Sequence, residues 1–89
     1  METKQLQSIL ESFLFVAEEP IAAATVAAAL ESEGVTQPQI KEAMQQLQTS
    51  YQSDQKGFML REVAGGYQLV TSTEMTPWIQ KFNAPKGKG

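Results

Sequence analysis

The stretch FMLREVAGGYQLVT, Phe58 to Thr71, constrains the fold of this chain more than any other. Two runs rich in aromatic, β-branched and aliphatic residues flank a glycine-containing bend, the signature of an antiparallel hairpin. A lone two-stranded hairpin is marginal in water and needs an apolar surface to lie on. The segments before it supply that surface as helices.

The first helix is predicted from about Thr3 to Ala17. Leu6, Ile9, Leu10, Phe13, Leu14 and Ala17 recur there at spacings of three and four and form one wide apolar stripe. Glu18, Glu19 and Pro20 end it, since proline drives its predecessor out of helical geometry. A second helix fits Ala23 to Glu31 or Ser32, with Val26 and Leu30 as core contacts among alanines and Gly34 as terminator. The third has the clearest start. Thr36 with Gln39 forms a capping box, and Pro38 falls in the first turn, where its missing amide hydrogen costs nothing. Ile40, Ala43, Met44, Leu47 and Tyr51 make its stripe, and Asp54 to Gly57 is a turn. After the hairpin, a short helix from about Glu74 to Phe82 would carry Met75, Trp78, Ile79 and Phe82 on one face, with Pro77 in its first turn.

The order is therefore α-α-α-β-β-α, with Gly34 in the short link between the second and third helices. That is a mainly helical winged-helix (winged helix-turn-helix) domain. A length of 89 residues suits one such domain, over 1–84, with 85–89 as a flexible tail or the start of a linker.

Composition narrows the chemistry. The chain has no cysteine and no histidine, which excludes disulfides and thiolate metal sites and removes the commonest general base. Glu18 and Glu19 are neighbours and point apart on a helix, so they make a poor acid/base or metal pair. Ser8, Thr25, Ser50 and Thr71 have no histidine to activate them. Gly65 and Gly66 lead into a strand, not into a phosphate-binding helix. No cofactor or metal is expected, and the chain reads as a non-enzyme. Its apolar runs are too short for a bilayer and its N-terminus is not a secretory signal, so a cytoplasmic protein without membrane contact is expected.

Charge addresses nucleic acid. Residues 1–54 carry Glu2, Glu11, Glu18, Glu19, Glu31, Glu33, Glu42 and Asp54 against Lys4 and Lys41 alone, a net −6. Residues 55–89 carry Lys56, Arg61, Lys81, Lys86 and Lys88 against Glu62 and Glu74, a net +3. A helix-turn-helix would place the third helix in the major groove, where Gln37, Gln45, Gln48 and Lys41 could meet base edges. The phosphate clamp that supplies most affinity is missing, and Glu42 opposes it. A DNA-binding transcriptional regulator is the alternative reading, and direct DNA binding is not expected.

The hairpin points to protein instead. With a three-residue connection, Ala64-Gly65-Gly66, Val63 faces Tyr67, Arg61 faces Leu69 and Met59 faces Thr71. Phe58, Leu60 and Val70 then share one face while Met59, Val63, Tyr67 and Leu69 share the other. A two-residue Gly65-Gly66 turn changes the partners but also leaves apolar groups on both faces. A wing wet on one side should alternate with polar residues. The second face is expected to be covered, by the closing helix through Trp78, Ile79 and Phe82, by a partner chain, or by both.

The stretches LESFLFVAEEPI (Leu10 to Ile21) and LREVAGGYQLVTSTEMTPWIQKF (Leu60 to Phe82) resemble the opening helix and loop, and the wing with its closing helix, of bacterial segregation and condensation protein B, ScpB. The LQTSYQSDQKGF segment that ends the third helix is similar to the family's approach to the wing. In the second helix, AAATVAAA is poorer in polar residues than the family's usual sequence. The resemblance implies a non-enzymatic subunit of the SMC–ScpA–ScpB condensin-like complex in chromosome condensation and segregation. It implies homodimers, the kleisin ScpA as partner, an indirect link to the SMC ATPase, and nucleoid association through the complex. Family members carry two winged helices in tandem, so this chain is expected to be the N-terminal one of a truncated protein.

Interface candidates are Phe13 and Phe15 on the first helix, Met59, Arg61, Tyr67 and Leu69 on the hairpin, and Trp78 on the closing helix. Phe15 is singled out because it lies off the first helix's stripe, as an interface anchor or as part of a broader core face. Phe13, on the stripe, also fits the core.

Overall fold

The computed structural model describes residues 1–85; of the expected 85–89 tail, residues 86–89 lie outside the described residues. The elements are α1 (Thr3–Val16), α2 (Ala23–Ala29), α3 (Gln37–Ser53), β1 (Phe58–Val63), β2 (Gly66–Thr71) and α4 (Thr76–Asn83), with short 3₁₀ turns at Glu31–Glu33 and Thr73–Met75. This is a mainly helical winged-helix topology with one two-stranded antiparallel sheet.

The core forms where the stripes of three helices converge. Leu6, Leu10 and Leu14 of α1, Ala23 and Val26 of α2, and Leu30 and Val35 of the following link are buried. So are Ile40, Ala43, Met44, Leu47 and Tyr51, the whole expected stripe of α3. Ile9 and Phe13 are partly buried against this cluster. The capping box of α3 is closed both ways: the Gln39 amide donates to Thr36 Oγ1 at 3.4 Å, and the Thr36 amide donates to Gln39 Oε1 at 2.8 Å. Polar ties pin α3 to its neighbours, with Gln7 Nε2 donating to Gln46 Oε1 at 2.8 Å and the Tyr51 hydroxyl to Glu11 Oε2 at 2.5 Å.

Two helix limits differ from the sequence expectation. α2 ends at Ala29, and Glu31 and Ser32 belong to the 3₁₀ turn that tightens into Gly34, whose φ of +71° supplies the left-handed stop. Glu74 and Met75 likewise lie in a 3₁₀ turn before α4, which places Pro77 in its opening turn.

The hairpin register corrects the expected one. Val63 pairs with Gly66, Glu62 with Tyr67, Arg61 with Gln68, Leu60 with Leu69, Met59 with Val70 and Phe58 with Thr71. The connection is therefore the two residues Ala64-Gly65, with Gly65 at φ +97°, rather than Ala64-Gly65-Gly66 or Gly65-Gly66. A change of one residue in register moves β2's side chains to the opposite face. Tyr67 and Leu69 consequently join Leu60 on the face that meets the helices, where both are partly buried against the core. Met59, Arg61 and Val63 share the outer face with Gly66, Gln68 and Val70.

The reason lies outside the hairpin. Ile21, in the link between α1 and α2, forms a β-bridge with Tyr67: the Ile21 amide donates to the Tyr67 carbonyl at 2.9 Å, and the Tyr67 amide to the Ile21 carbonyl at 2.8 Å. The Ile21 backbone then runs so close to Gly66 that a Cβ there would meet the Ile21 carbonyl oxygen at 2.1 Å. Gly66 serves this approach; Gly65 makes the turn.

Candidate functional site

An apolar cleft opens between the C-terminal end of α1 and the hairpin. Leu14, Phe15 and Ala17 form one wall and Phe58, Leu69, Val70 and Thr71 the other, around a cavity of about 320 Å³. Leu14 is buried because it belongs to the α1 stripe. Phe15, one position on, turns 100° away from it and is 84% exposed, and Val16 beside it is 74% exposed. Phe58 stands at the opposite rim, held edge-on to the Tyr51 ring with centroids 5.0 Å apart.

A second apolar surface lies on α4. Trp78 is 62% and Phe82 79% exposed, and no residue of the helix is buried. The main packing contact of α4 is with the 3₁₀ turn that precedes it. The closing helix, one of the two covers expected for the second hairpin face, thus makes its main contact elsewhere. The turn is anchored below: the Ser72 amide donates to the Gly57 carbonyl at 2.9 Å, and Met75 sits over Gly57. Lys81 places its Nζ 5.0 Å from the Trp78 ring centroid, a cation–π arrangement.

The interface candidates separate into groups. Phe15 and Leu69 meet in the cleft, whereas Trp78 stands apart on α4. Phe13 packs partly against the core, and Tyr67 does so from the hairpin. Arg61 is exposed on the outer hairpin face, and Met59 is half-buried there beside Phe58, Ser72 and Thr73. Phe58, Val16 and Phe82 were not among the interface candidates, although all three are exposed large apolar groups. Val16 had a usable signal, since it follows Phe15 and also lies off the α1 stripe. Phe58 had none, because the contact that orients it comes from Tyr51 across the fold.

The polar side of α3 turns partly toward the hairpin. Gln48 is tied to the hairpin, its Nε2 donating to the Leu60 carbonyl at 3.1 Å. Lys41, Gln45 and Gln48 line one depression together with Glu62 and Tyr67, so a carboxylate sits beside that surface's cation. Burial and the Glu62 charge raise the Tyr67 hydroxyl above its ordinary value. Among the described residues no group of three or more acidic side chains is placed to hold a metal ion. Among the same residues no helix is long and apolar enough to cross a membrane.

Comparison with known proteins follows the same lines. The family described as segregation and condensation complex subunit ScpB matches residues 8–88. The chain is similar to segregation and condensation protein B of Moorella thermoacetica, 35% identical over 81 residues that cover 91% of this chain and 40% of that protein. It is also similar to that of Syntrophotalea carbinolica, 30% identical over 86 residues, 97% of this chain and 42% of that protein. The chain thus spans about two fifths of the length of these relatives. Among solved structures it shares the fold of ScpB from Mycobacterium tuberculosis, with a TM-score of 0.85 at 23% identity over 92% of this chain and 49% of that one. It also resembles a dimer of an ScpB N-terminal domain complexed with an ScpA peptide, with a TM-score of 0.79 at 29% identity over 89% of this chain and 95% of that one.

Proposed function

The chain belongs to the family of segregation and condensation complex subunit ScpB, and from that membership we propose that it is a homodimerising protein-interaction module that binds the kleisin ScpA. Its role is non-enzymatic: it serves chromosome condensation and segregation during cell division within an SMC–ScpA–ScpB complex, in the cytoplasm and at the nucleoid. The observation that carries this reading is the set of large apolar side chains left in the open, Phe15, Val16, Trp78 and Phe82, on a domain whose core is already filled. Exposed apolar patches of this kind mark protein contacts. The likeness to the solved N-terminal domain, which is a dimer holding an ScpA peptide, supports it.

Two further features favour protein over DNA. The helical body is acidic, and the face of α3 that would enter a groove shares its depression with Glu62. Phosphate neutralisation needs several cations on one surface.

Calorimetric titration of the chain with a synthetic ScpA peptide, alongside duplex DNA at physiological salt, tests the reading. Saturable peptide binding with no DNA binding is expected. Salt-sensitive DNA binding without peptide binding would favour the transcriptional-regulator alternative instead.

A further inference from the structure

We propose that the outer edge of β1 docks an extended polypeptide segment, which pairs with Glu62 in a single backbone bridge and presents a side-chain amide to the depression beside α3. The proposal goes beyond the reading above and does not depend on it, since it involves neither the α1 cleft nor α4.

The bonding pattern of the hairpin exposes this site. Opposite residues of an antiparallel pair alternate between bonding one another and turning their backbone groups outward. Tyr67 turns its amide and carbonyl outward, since both bond Ile21. Its cross-strand partner Glu62 therefore turns its own amide and carbonyl to the opposite edge, that of β1. The bond from the Ser72 amide to the Gly57 carbonyl, farther down the ladder, fits the same alternation. Leu60 also points to the β1 edge, where Gln48 Nε2 donates to its carbonyl at 3.1 Å. Among the described residues no backbone group takes the Glu62 amide or carbonyl.

One edge of the hairpin thus carries a bridge made by the chain itself, and the other offers the same geometry untaken. An untaken strand edge is a template for an added strand. The Gln48 cap on Leu60 ends that template, which confines the pairing to Glu62.

Side-chain chemistry selects the occupant. In such a bridge the residue opposite Glu62 projects its side chain on the same face as Glu62. That face looks onto a depression of about 310 Å³ lined by Lys41, Gln45 and Gln48 from α3 and by Glu62 and Tyr67 from the hairpin. Its walls hold one cation and one anion, Lys41 and Glu62, both exposed. An entering carboxylate is repelled by Glu62 and an entering ammonium by Lys41. A side-chain amide donates to the one and accepts from the other, so Gln or Asn answers both signs.

The probe is the capped pentapeptide Thr-Val-Gln-Val-Thr, whose β-branched residues favour an extended backbone. It is titrated into the isotope-labelled chain to about 10 mM and followed by nuclear magnetic resonance. Saturable shifts led by the Glu62 amide, with slower hydrogen exchange there, are expected. Methylating the central backbone nitrogen removes the donor to the Glu62 carbonyl and should weaken binding at least about tenfold. Peptides with Glu or Lys at the centre should bind about threefold more weakly than the Gln peptide. Glu62→Ala keeps the backbone pair but removes the anion, so the Glu-centred peptide should become the tightest of the three. An unmoved Glu62 amide at the highest concentration overturns the proposal, as does equal binding of the methylated peptide. Shifts centred on Phe15 and Leu69 would place the peptide in the α1 cleft and overturn it too. An order of the three peptides that Glu62→Ala leaves unchanged overturns the amide recognition.

Discussion

Gly66 is where two distant parts of the chain come closest. With φ at +143° and the Ile21 carbonyl oxygen 2.1 Å from any added Cβ, it tolerates no side chain. Gly66→Ala is expected to cost more than about 2 kcal/mol in denaturant unfolding, since both the backbone conformation and the Ile21–Tyr67 bridge would be disturbed. Gly65→Ala strains the turn but meets no atom within 4 Å, so it should cost less. Tyr51 is a second pivotal residue. Burial, then its hydrogen bond to Glu11, then the Glu11 charge push its hydroxyl well above the ordinary tyrosine value. Tyr67 is raised as well. A raised tyrosine favours the protonated fold, so this stability is fully present below the ordinary value of about 10 and is lost as pH rises through the folded values. Ultraviolet titration should find both tyrosines ionising above that ordinary value. Tyr51→Phe should cost about 1–2 kcal/mol at neutral pH and make the alkaline loss of stability shallower.

At the scale of elements, α3 was legible in the sequence and β2 was not. Thr36, Gln39 and the stripe from Ile40 to Tyr51 are local signals that agree with one another, and the structure uses every one of them. Thr36→Ala should therefore cost about 1 kcal/mol in thermal or denaturant unfolding, the usual worth of a helix cap. For the hairpin, Ala64-Gly65-Gly66 permits several turns of similar local cost. The choice is made by Ile21, more than forty positions upstream, and periodicity within the hairpin carries no trace of it. Tyr67 and Leu69 changed faces for that reason, while Leu60, on the strand whose orientation was read correctly, is buried as expected. The cleft was legible in part. Phe15 stood out as off-stripe, but its opposite wall depends on the register. The departure of α4 depends on how Ser72 and Met75 hold Gly57, a tertiary contact no local pattern announces.

At the scale of the whole molecule, the proposed protein-interaction role rests on an acidic helical body and on large apolar side chains exposed outside the core. Membership of the ScpB family supplies the proposed partners, a second copy and ScpA. The most direct test of that account is sedimentation equilibrium of the chain over a wide concentration range. It should show reversible conversion from 9.8 kDa to about twice that mass, with Phe15→Asp shifting the transition to far higher concentration. A mass that stays at 9.8 kDa up to the highest concentration would contradict it.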